Sequence, residues 1–314
     1  LVPSVGSVGD SYENALAETI NGLYKAEVIH RRGPWRSLEA VEYATLEWVK
    51  PPTFARRYNW NTSARVIKHT WFEDGQLNVS TNCLDRHLQT IPNKPAIVWQ
   101  GEVENDTHTL TYAQLQERVD RAVAGLRALG LRPGDRIAYH GNNRWELVVT
   151  LFAGFQGGFV VVPLNVMLRP AELEHILAET ALKLVLTTSE GEAVAAQLQP
   201  KYGCRLSSYD DPAGLFAQWM AAPGPQARLE DRAPDDVLAL FFTSGTTGRP
   251  KGAPIDHEFV GHLAESWLIS CRYTPEDVFL VTTPMFWTVA PIHCIVPMVL
   301  AGGTIVLMNR FDLD

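Results

Sequence analysis

Long apolar runs and an export leader are both missing from this 314-residue sequence. No apolar stretch reaches the roughly 18 residues that a helix needs to cross a bilayer. The N-terminus also lacks a basic segment followed by an apolar one, which is the pattern of export signals. We therefore expect neither membrane anchoring nor export, and we expect a cytoplasmic location.

Cysteines are few, and the four in the chain lie far apart, at Cys83, Cys204, Cys271 and Cys294. Their spacing matches no metal-ligand motif, so we predict no metal site built from them. Isolated cysteines of this kind are typical of reduced thiols. We expect them to be mostly buried.

An excess of positive charge is also missing, because 35 acidic residues against 27 basic ones give a formal net charge of -8. This balance argues against broad binding to nucleic acids or to anionic membranes. An apolar fraction of 46% is enough for a sizeable core. The length indicates a globular protein with one large domain or two ordinary ones.

Helical and extended patterns alternate along the middle of the chain. A capping box at Thr111 and Gln114 begins an amphipathic helix that Gly130 ends. The strand RIAYH, an apolar helix from about Arg144 and the unbroken apolar run FVVVPLN follow. A helix from Pro170 and the strand LKLVLTT then complete three consecutive βα units. This rhythm predicts an α/β fold with doubly wound, mostly parallel sheets and flanking helices.

A proline-rich stretch of mixed charge interrupts this rhythm and is predicted to be an exposed connector. After it come the strand VLALFF, the helix HEFVGHLAESWLISC, the strand VFLVTT, an apolar helix through PIHCIVPMVLAGG and the strand TIVLM. The predicted division is a helical segment at 1–49, a first α/β subdomain at 50–209, the connector at 210–236 and the start of a second α/β subdomain at 237–314.

The loop after VLALFF is rich in groups that bind anions. Glycines let backbone N–H groups converge on an anion, hydroxyls add donors, and a lysine adds a full charge. The spacing is not that of the common nucleotide loop, which needs four residues between its glycines and a Gly-Lys-Ser/Thr ending. Without a preceding strand and a lysine, such a run would usually be only a turn. The predicted phosphate-binding residues are Thr243, Ser244, Gly245, Thr246, Thr247, Gly248 and Lys251.

The run TSGTTGRPKG at 243–252 resembles the signature loop of the adenylate-forming, AMP-dependent superfamily, which includes acyl-CoA synthetases, luciferases and peptide-synthetase adenylation domains. The resemblance implies that the loop holds the β- and γ-phosphates of ATP while a carboxylate attacks the α-phosphate. It also implies ATP, Mg²⁺ and CoA as cofactors, a small carboxylic acid as substrate, and acid–thiol ligase activity through an acyl-adenylate.

Three further stretches bear on the acyl substrate. WFEDGQLNVSTNCLDRHL is similar to the lead-in of acetyl- and propionyl-CoA synthetases, whereas VVPLNVMLRPAELEHIL looks more like medium- and long-chain fatty acyl ligases. Ala193 stands where acetyl-type enzymes carry an arginine thought to meet the CoA phosphate. PMFWTVAPIH resembles the aromatic segment beside the acyl pocket, although as structure alone Phe286 and Trp287 are more often core residues. The acyl substrate stays open.

The family's later motifs have no counterpart in these 314 residues. The resemblance calls for a Tyr-Gly-x-Thr-Glu stretch, an aspartate that holds the ribose, and a C-terminal domain with a catalytic lysine. We therefore assign no catalytic residue, and we expect an incomplete N-terminal domain that is inactive by itself.

The first 49 residues resemble the C-terminal part of the integrase-like core of insertion-sequence transposases, with Glu18 matching the last acidic residue of that triad. Two-metal chemistry needs carboxylates from several elements, and Glu18 alone cannot hold the metals. The segment has seven acids against four bases, which gives no electrostatic footprint for DNA. We interpret the chain as a fusion. The alternative functions are a DNA-recombination remnant or a non-catalytic nucleotide-binding module.

Overall fold

A computed structural model describes residues 56–59, 68–71, 78–103, 105–222, 235–243 and 250–310. The strands in chain order are β1 (Arg56–Asn59), β2 (Lys68–Trp71), β3 (Pro95–Gln100), β4 (Thr107–Thr111), β5 (Arg136–His140), β6 (Val160–Leu164), β7 (Leu184–Thr187), β8 (Arg205–Ser208), β9 (Val237–Thr243), β10 (Lys251–Asp256), β11 (Val278–Val281) and β12 (Thr304–Met308). The α-helices are α1 (Val79–Cys83), α2 (Tyr112–Ala128), α3 (Trp145–Gly157), α4 (Pro170–Thr180), α5 (Ser189–Tyr202), α6 (Leu215–Ala221), α7 (His257–Cys271) and α8 (Val296–Ala301).

Several sequence predictions fall outside the described residues. These are the segment 1–49 with Glu18, residues 223–234 of the predicted connector, and the loop residues 244–249. The described part of the predicted connector contains α6, whose Phe216 and Trp219 are buried. Within the described part of the chain, no helix is long and apolar enough to cross a membrane. All four cysteines carry free thiols, and Cys271 at the end of α7 is exposed while the others are buried or half-buried.

Six strands form the larger sheet, in the order β10-β9-β6-β5-β7-β8. Strands β6, β5, β7 and β8 run parallel, β9 joins them in parallel beside β6, and β10 adds an antiparallel edge. The winding reverses at β5, because β6 lies on one side of it and β7 on the other. The predicted α/β fold with doubly wound, mostly parallel sheets is confirmed.

Alternate residues of the central strands enter two different cores. Ile137 and Tyr139 belong to the main core, whereas Ala138 between them belongs to a second core on the opposite face. Every residue of β6 is buried, which agrees with the prediction made from its unbroken apolar run. Side chains of successive strand residues point to opposite faces, so a central strand that is covered by helices on both sides must be apolar throughout.

The smaller sheet joins distant parts of the chain, in the order β11-β12-β3-β4. Strand β12 runs parallel to both β11 and β3, while β4 pairs antiparallel with β3. The predicted apolar helix before β12 is divided: Val289–Ile295 is π-helical, and α8 follows it. Pro291 and Pro297 lie in this stretch, and each removes a backbone donor from a regular α-helix.

Helix α2 illustrates how local sequence signals fix an element. Thr111 Oγ1 accepts from Gln114 N at 3.2 Å, and Gln114 Oε1 accepts from Thr111 N at 3.0 Å. This reciprocal capping box and the left-handed Gly130 at φ 86 bound the helix as the sequence predicts. Its buried face packs against α3 and α6.

Gly125 provides a test of this packing, because Trp219 of α6 lies directly over it. A Cβ at position 125 would overlap the indole ring, whereas a Cβ at Gly261 of α7 would meet no atom within 4 Å. We predict that Gly125→Ala destabilises the fold by about 1–3 kcal/mol, despite the better helix propensity of alanine. Gly261→Ala should instead stabilise it by up to about 1 kcal/mol. Urea denaturation of both variants measures the two effects, and a stabilised Gly125→Ala would contradict the packing.

Candidate functional site

The predicted phosphate loop connects two paired strands. Strands β9 and β10 pair antiparallel as a hairpin, with Thr243 opposite Lys251, and the loop residues 244–249 between them in the sequence lie outside the described residues. The Thr243 hydroxyl donates to the carbonyl oxygen of Lys251 at 3.5 Å, and both side chains are exposed. Of the seven predicted loop residues, Thr243 and Lys251 are thus described and stand side by side at the base of the hairpin.

Lys251 is held by backbone pairing while its side chain faces outward. Its strand leads directly into α7, which Asp256 caps by accepting from Phe259 N at 2.7 Å through Oδ1. Among the described residues, no carboxylate forms an ion pair with Lys251. Thr243 and Lys251 lie at the carboxyl end of β9, which runs parallel to β6 in the larger sheet.

A second charged group at the carboxyl ends of the strands is already neutralised. Arg144 forms ion pairs with Glu146, at 2.8 Å, and with Asp210. Burial opposes the charge on Arg144, but these hydrogen bonds raise its pKa overall, and burial also raises the pKa of Glu146. Asp210 in addition accepts from Ser189 N at 2.8 Å. This cluster fixes the ends of β5, β7 and β8, and its arginine is committed to two carboxylates.

The predicted aromatic segment follows β11. Phe286 is buried at 6% exposure, whereas its neighbour Trp287 is 50% exposed, and their ring centroids lie 5.7 Å apart. The segment continues into the π-helical turn, where His293 contacts Trp267 of α7 with ring centroids 6.0 Å apart. Helix α7 therefore connects the two regions: it follows β10 of the hairpin directly, and its Trp267 contacts His293 of the aromatic segment.

Two residues at the end of β5, which the sequence analysis did not single out, hold this segment. The side chain of Asn143 bonds to the backbone of Thr283 and Met285, and the Tyr139 hydroxyl donates to the Met285 carbonyl oxygen. A polar Asn143 immediately beyond an apolar strand was the available sequence signal, because ligand and loop contacts gather at the carboxyl ends of parallel strands.

The remaining predictions concern CoA and metals. Ala193 is exposed on α5, whose first turn carries Glu190 and Glu192, so this helix presents no cation at that position. In the described ranges, no group of three or more His, Cys, Asp or Glu side chains could hold a metal ion.

A profile of the AMP-binding enzyme family matches residues 84–314. A feruloyl-CoA synthase from Amycolatopsis sp is 39% identical over 204 residues, which cover 65% of this chain and 40% of that protein. An acetyl-coenzyme A synthetase from Photobacterium profundum is 27% identical over 318 residues, covering 93% of this chain and 48% of that protein. The chain thus spans less than half the length of these curated relatives.

Solved structures agree with these matches. ATP-bound MatB from Rhodopseudomonas palustris superimposes with a TM-score of 0.68 and 27% identity, covering 75% of this chain and 46% of that chain. The inhibitor-bound N-terminal domain of FACL13 from Mycobacterium tuberculosis gives 0.68 and 28%, covering 75% and 58%. The acetyl-coenzyme A synthetase match leaves less than a tenth of this chain outside it, so it extends into residues 1–49. The transposase resemblance of that segment is not shown by these matches.

Two buried histidines make the fold sensitive to acid. Burial lowers the pKa of His140, the last residue of β5, to about 4. Burial likewise lowers the pKa of His87 to about 4, and its Nε2 lies 3.0 Å from the Val299 carbonyl oxygen. Both pKa values lie below the 6.5 of an unperturbed histidine, so the native state keeps these rings neutral where the unfolded chain binds protons.

We predict that the free energy of unfolding falls as the pH drops from 6.5 to 4, by up to about 1.4 kcal/mol per pH unit for each histidine. His140→Asn should reduce this slope, because it removes one of the two histidines whose pKa burial lowers to about 4. Urea denaturation at a series of pH values measures the slope. An undiminished slope in His140→Asn would show that His140 does not stay neutral in the native state.

Proposed function

The chain belongs to the family of AMP-binding enzymes, and on that premise we propose that it carries the phosphate-binding part of an AMP-forming acyl-CoA synthetase. The observation that carries this proposal is the hairpin base, where Lys251 stands opposite Thr243. The sequence between these two residues is rich in glycines and hydroxyls, a composition that allows backbone N–H groups to converge on an anion, and Lys251 adds a positive charge. That combination suits the β- and γ-phosphates of ATP.

In the proposed reaction, a carboxylate oxygen bonds to the α-phosphorus of ATP, and pyrophosphate leaves with the electrons of the broken P–O bond. The CoA thiol then attacks the acyl carbon, and AMP leaves. Phosphoryl chemistry of this kind depends on positioning and on charge stabilisation more than on covalent participation by the protein. The proposed role of Lys251 and the loop is to hold the phosphates and to balance the charge that develops on the pyrophosphate.

Mg²⁺, when bound, would supply further positive charge to the phosphates. Magnesium usually binds through one or two carboxylates together with substrate phosphates and waters. We assign no described residue of this chain as a ligand of the ion.

The proposed substrate is a small carboxylic acid whose acyl group lies against Phe286 and Trp287. The half-exposed Trp287 offers a flat apolar surface, which suits acyl groups beyond acetate. One relative is named for feruloyl-CoA synthesis and another for acetyl-CoA synthesis, so ferulate and acetate are among the acids to be tested. CoA is the proposed acceptor.

Lys251→Ala should weaken binding of Mg-ATP by about ten-fold or more, because a charge-assisted hydrogen bond to phosphate contributes about 1.5–3 kcal/mol. Isothermal titration calorimetry measures the dissociation constant. The matched control is Lys183→Ala, which removes the same charge from an exposed lysine just before β7, at the opposite end of the parallel strands. Equal dissociation constants for wild type and Lys251→Ala would eliminate the proposed role of the lysine.

Exchange of labelled pyrophosphate into ATP tests the reaction itself, with acetate, ferulate and a fatty acid as substrates. We expect no exchange from the 314 residues alone, since the matches cover only 40% and 48% of the relatives that carry these names. A longer protein that includes this chain should exchange with at least one acid. ATP binding without exchange in the longer protein would favour a non-catalytic nucleotide-binding module, and thioester formed by the 314 residues alone would disprove their expected inactivity.

A further inference from the structure

The side chain of Asn143, which lies just after β5, forms hydrogen bonds with the backbone on both sides of Pro284. Asn143 Oδ1 accepts from Met285 N at 2.7 Å, and its Nδ2 donates to the Thr283 carbonyl oxygen at 2.9 Å. The amide orientation follows from its partners, because an N–H must face the oxygen and a carbonyl must face the NH₂ group. Asn143 is 3% exposed, so these bonds are shielded from water.

A second bond from β5 completes this anchor. The hydroxyl of Tyr139 donates to the Met285 carbonyl oxygen at 2.6 Å. Burial raises the pKa of Tyr139 well above its usual value, so the hydroxyl stays protonated and remains a donor. Both backbone polar groups of Met285, which is fully buried, are thereby satisfied by β5 and its exit.

The anchor is itself fixed to the smaller sheet. The Asn143 backbone N–H donates to the Asn309 carbonyl oxygen at 3.2 Å, just beyond β12. Its carbonyl oxygen accepts from Trp99 Nε1 of β3 at 2.8 Å. Asn143 therefore has little freedom to follow the aromatic segment if that segment moves.

We propose that Asn143 and Tyr139 are positioning residues that determine which acyl groups fit against the aromatic segment. The turn beyond the anchor is closed by Trp287 N donating to the Pro284 carbonyl oxygen at 3.1 Å. Fixing Met285 thus directs Phe286 inward and Trp287 outward, and the position of Trp287 follows that of Met285. The inference rests on the proposed function, since it concerns the acyl side of that site.

Loss of the anchor has a defined consequence for binding. A segment that spends part of its time in displaced positions binds an acyl group with an affinity reduced by the fraction that stays competent. The hairpin of β9 and β10 does not depend on these bonds, because it is held by the pairing of its two strands. Acyl recognition should therefore weaken while nucleotide recognition is retained.

The test compares Mg-ATP with non-hydrolysable acyl-sulfamoyl adenosines that carry acetyl, feruloyl and decanoyl groups, titrated calorimetrically into the full 314-residue chain. Tyr139→Phe removes one hydroxyl and should weaken the feruloyl or decanoyl compound about five-fold, with Mg-ATP binding unchanged. The matched control is Tyr112→Phe. Tyr112 is equally buried, and its hydroxyl donates to the Val299 and Gly303 carbonyl oxygens, outside the aromatic segment. This control should keep the wild-type ratio of the two affinities, for acyl compound and for Mg-ATP.

Hydrogen exchange at the Met285 amide gives a readout that is independent of ligand. Asn143→Ala removes its acceptor and should raise its exchange rate about ten-fold or more relative to β12 amides, while Tyr112→Phe should not. Faster exchange with unchanged acyl discrimination would overturn the inference, and so would unchanged exchange. If wild type does not bind Mg-ATP, the proposed function fails and the specificity role fails with it, while faster exchange would still establish the anchor. If wild type binds Mg-ATP but no acyl compound, the inference alone is overturned.

Discussion

Strand β5 must pair with a strand on each side and contribute side chains to a core on each face. The remaining architecture follows from this constraint. It pairs with β6 and β7, and its alternate side chains enter opposite cores. The middle of the strand is accordingly apolar, and its last residue, His140, is buried as well. The winding of the sheet reverses here, so the chain segments at the end of β5 lie where a crevice forms in folds of this type.

Two polar side chains that connect separate parts of the fold follow β5 closely in the sequence. Asn143 binds the segment after β11, while Arg144 binds Glu146 and Asp210. The residues just after β5 therefore connect it to the smaller sheet, to the aromatic segment and to the ends of β7 and β8. The two cations therefore differ: Arg144 pairs with carboxylates inside the fold, whereas the side chain of Lys251 is exposed at the base of the β9–β10 hairpin.

Sequence signals of short range predicted the fold well. The capping box of α2, the buried run of β6 and the helix at 257–271 needed only local information. Strand β10 was missed because its sequence KGAPID contains Gly and Pro, and the strand forms only through pairing at an edge of the sheet. The anchor at Asn143 was missed for a similar reason, since its partners lie about 140 positions further along the chain. Of the predicted phosphate loop, the structure describes only the two residues at its base, and the roles of the rest stay predictions.

The pairing of β12 with β3 also constrains how the chain folds. Thr304 bonds to the carbonyl of Pro95, 209 positions earlier. During synthesis at 5–20 residues per second, β3 and β4 would wait about 10 to 40 s for their partner strand to emerge. Contacts of such high sequence separation slow folding. During that time β3 lacks the strand that pairs with it along one edge, and its buried residues Ala96 and Ile97 lack part of their cover.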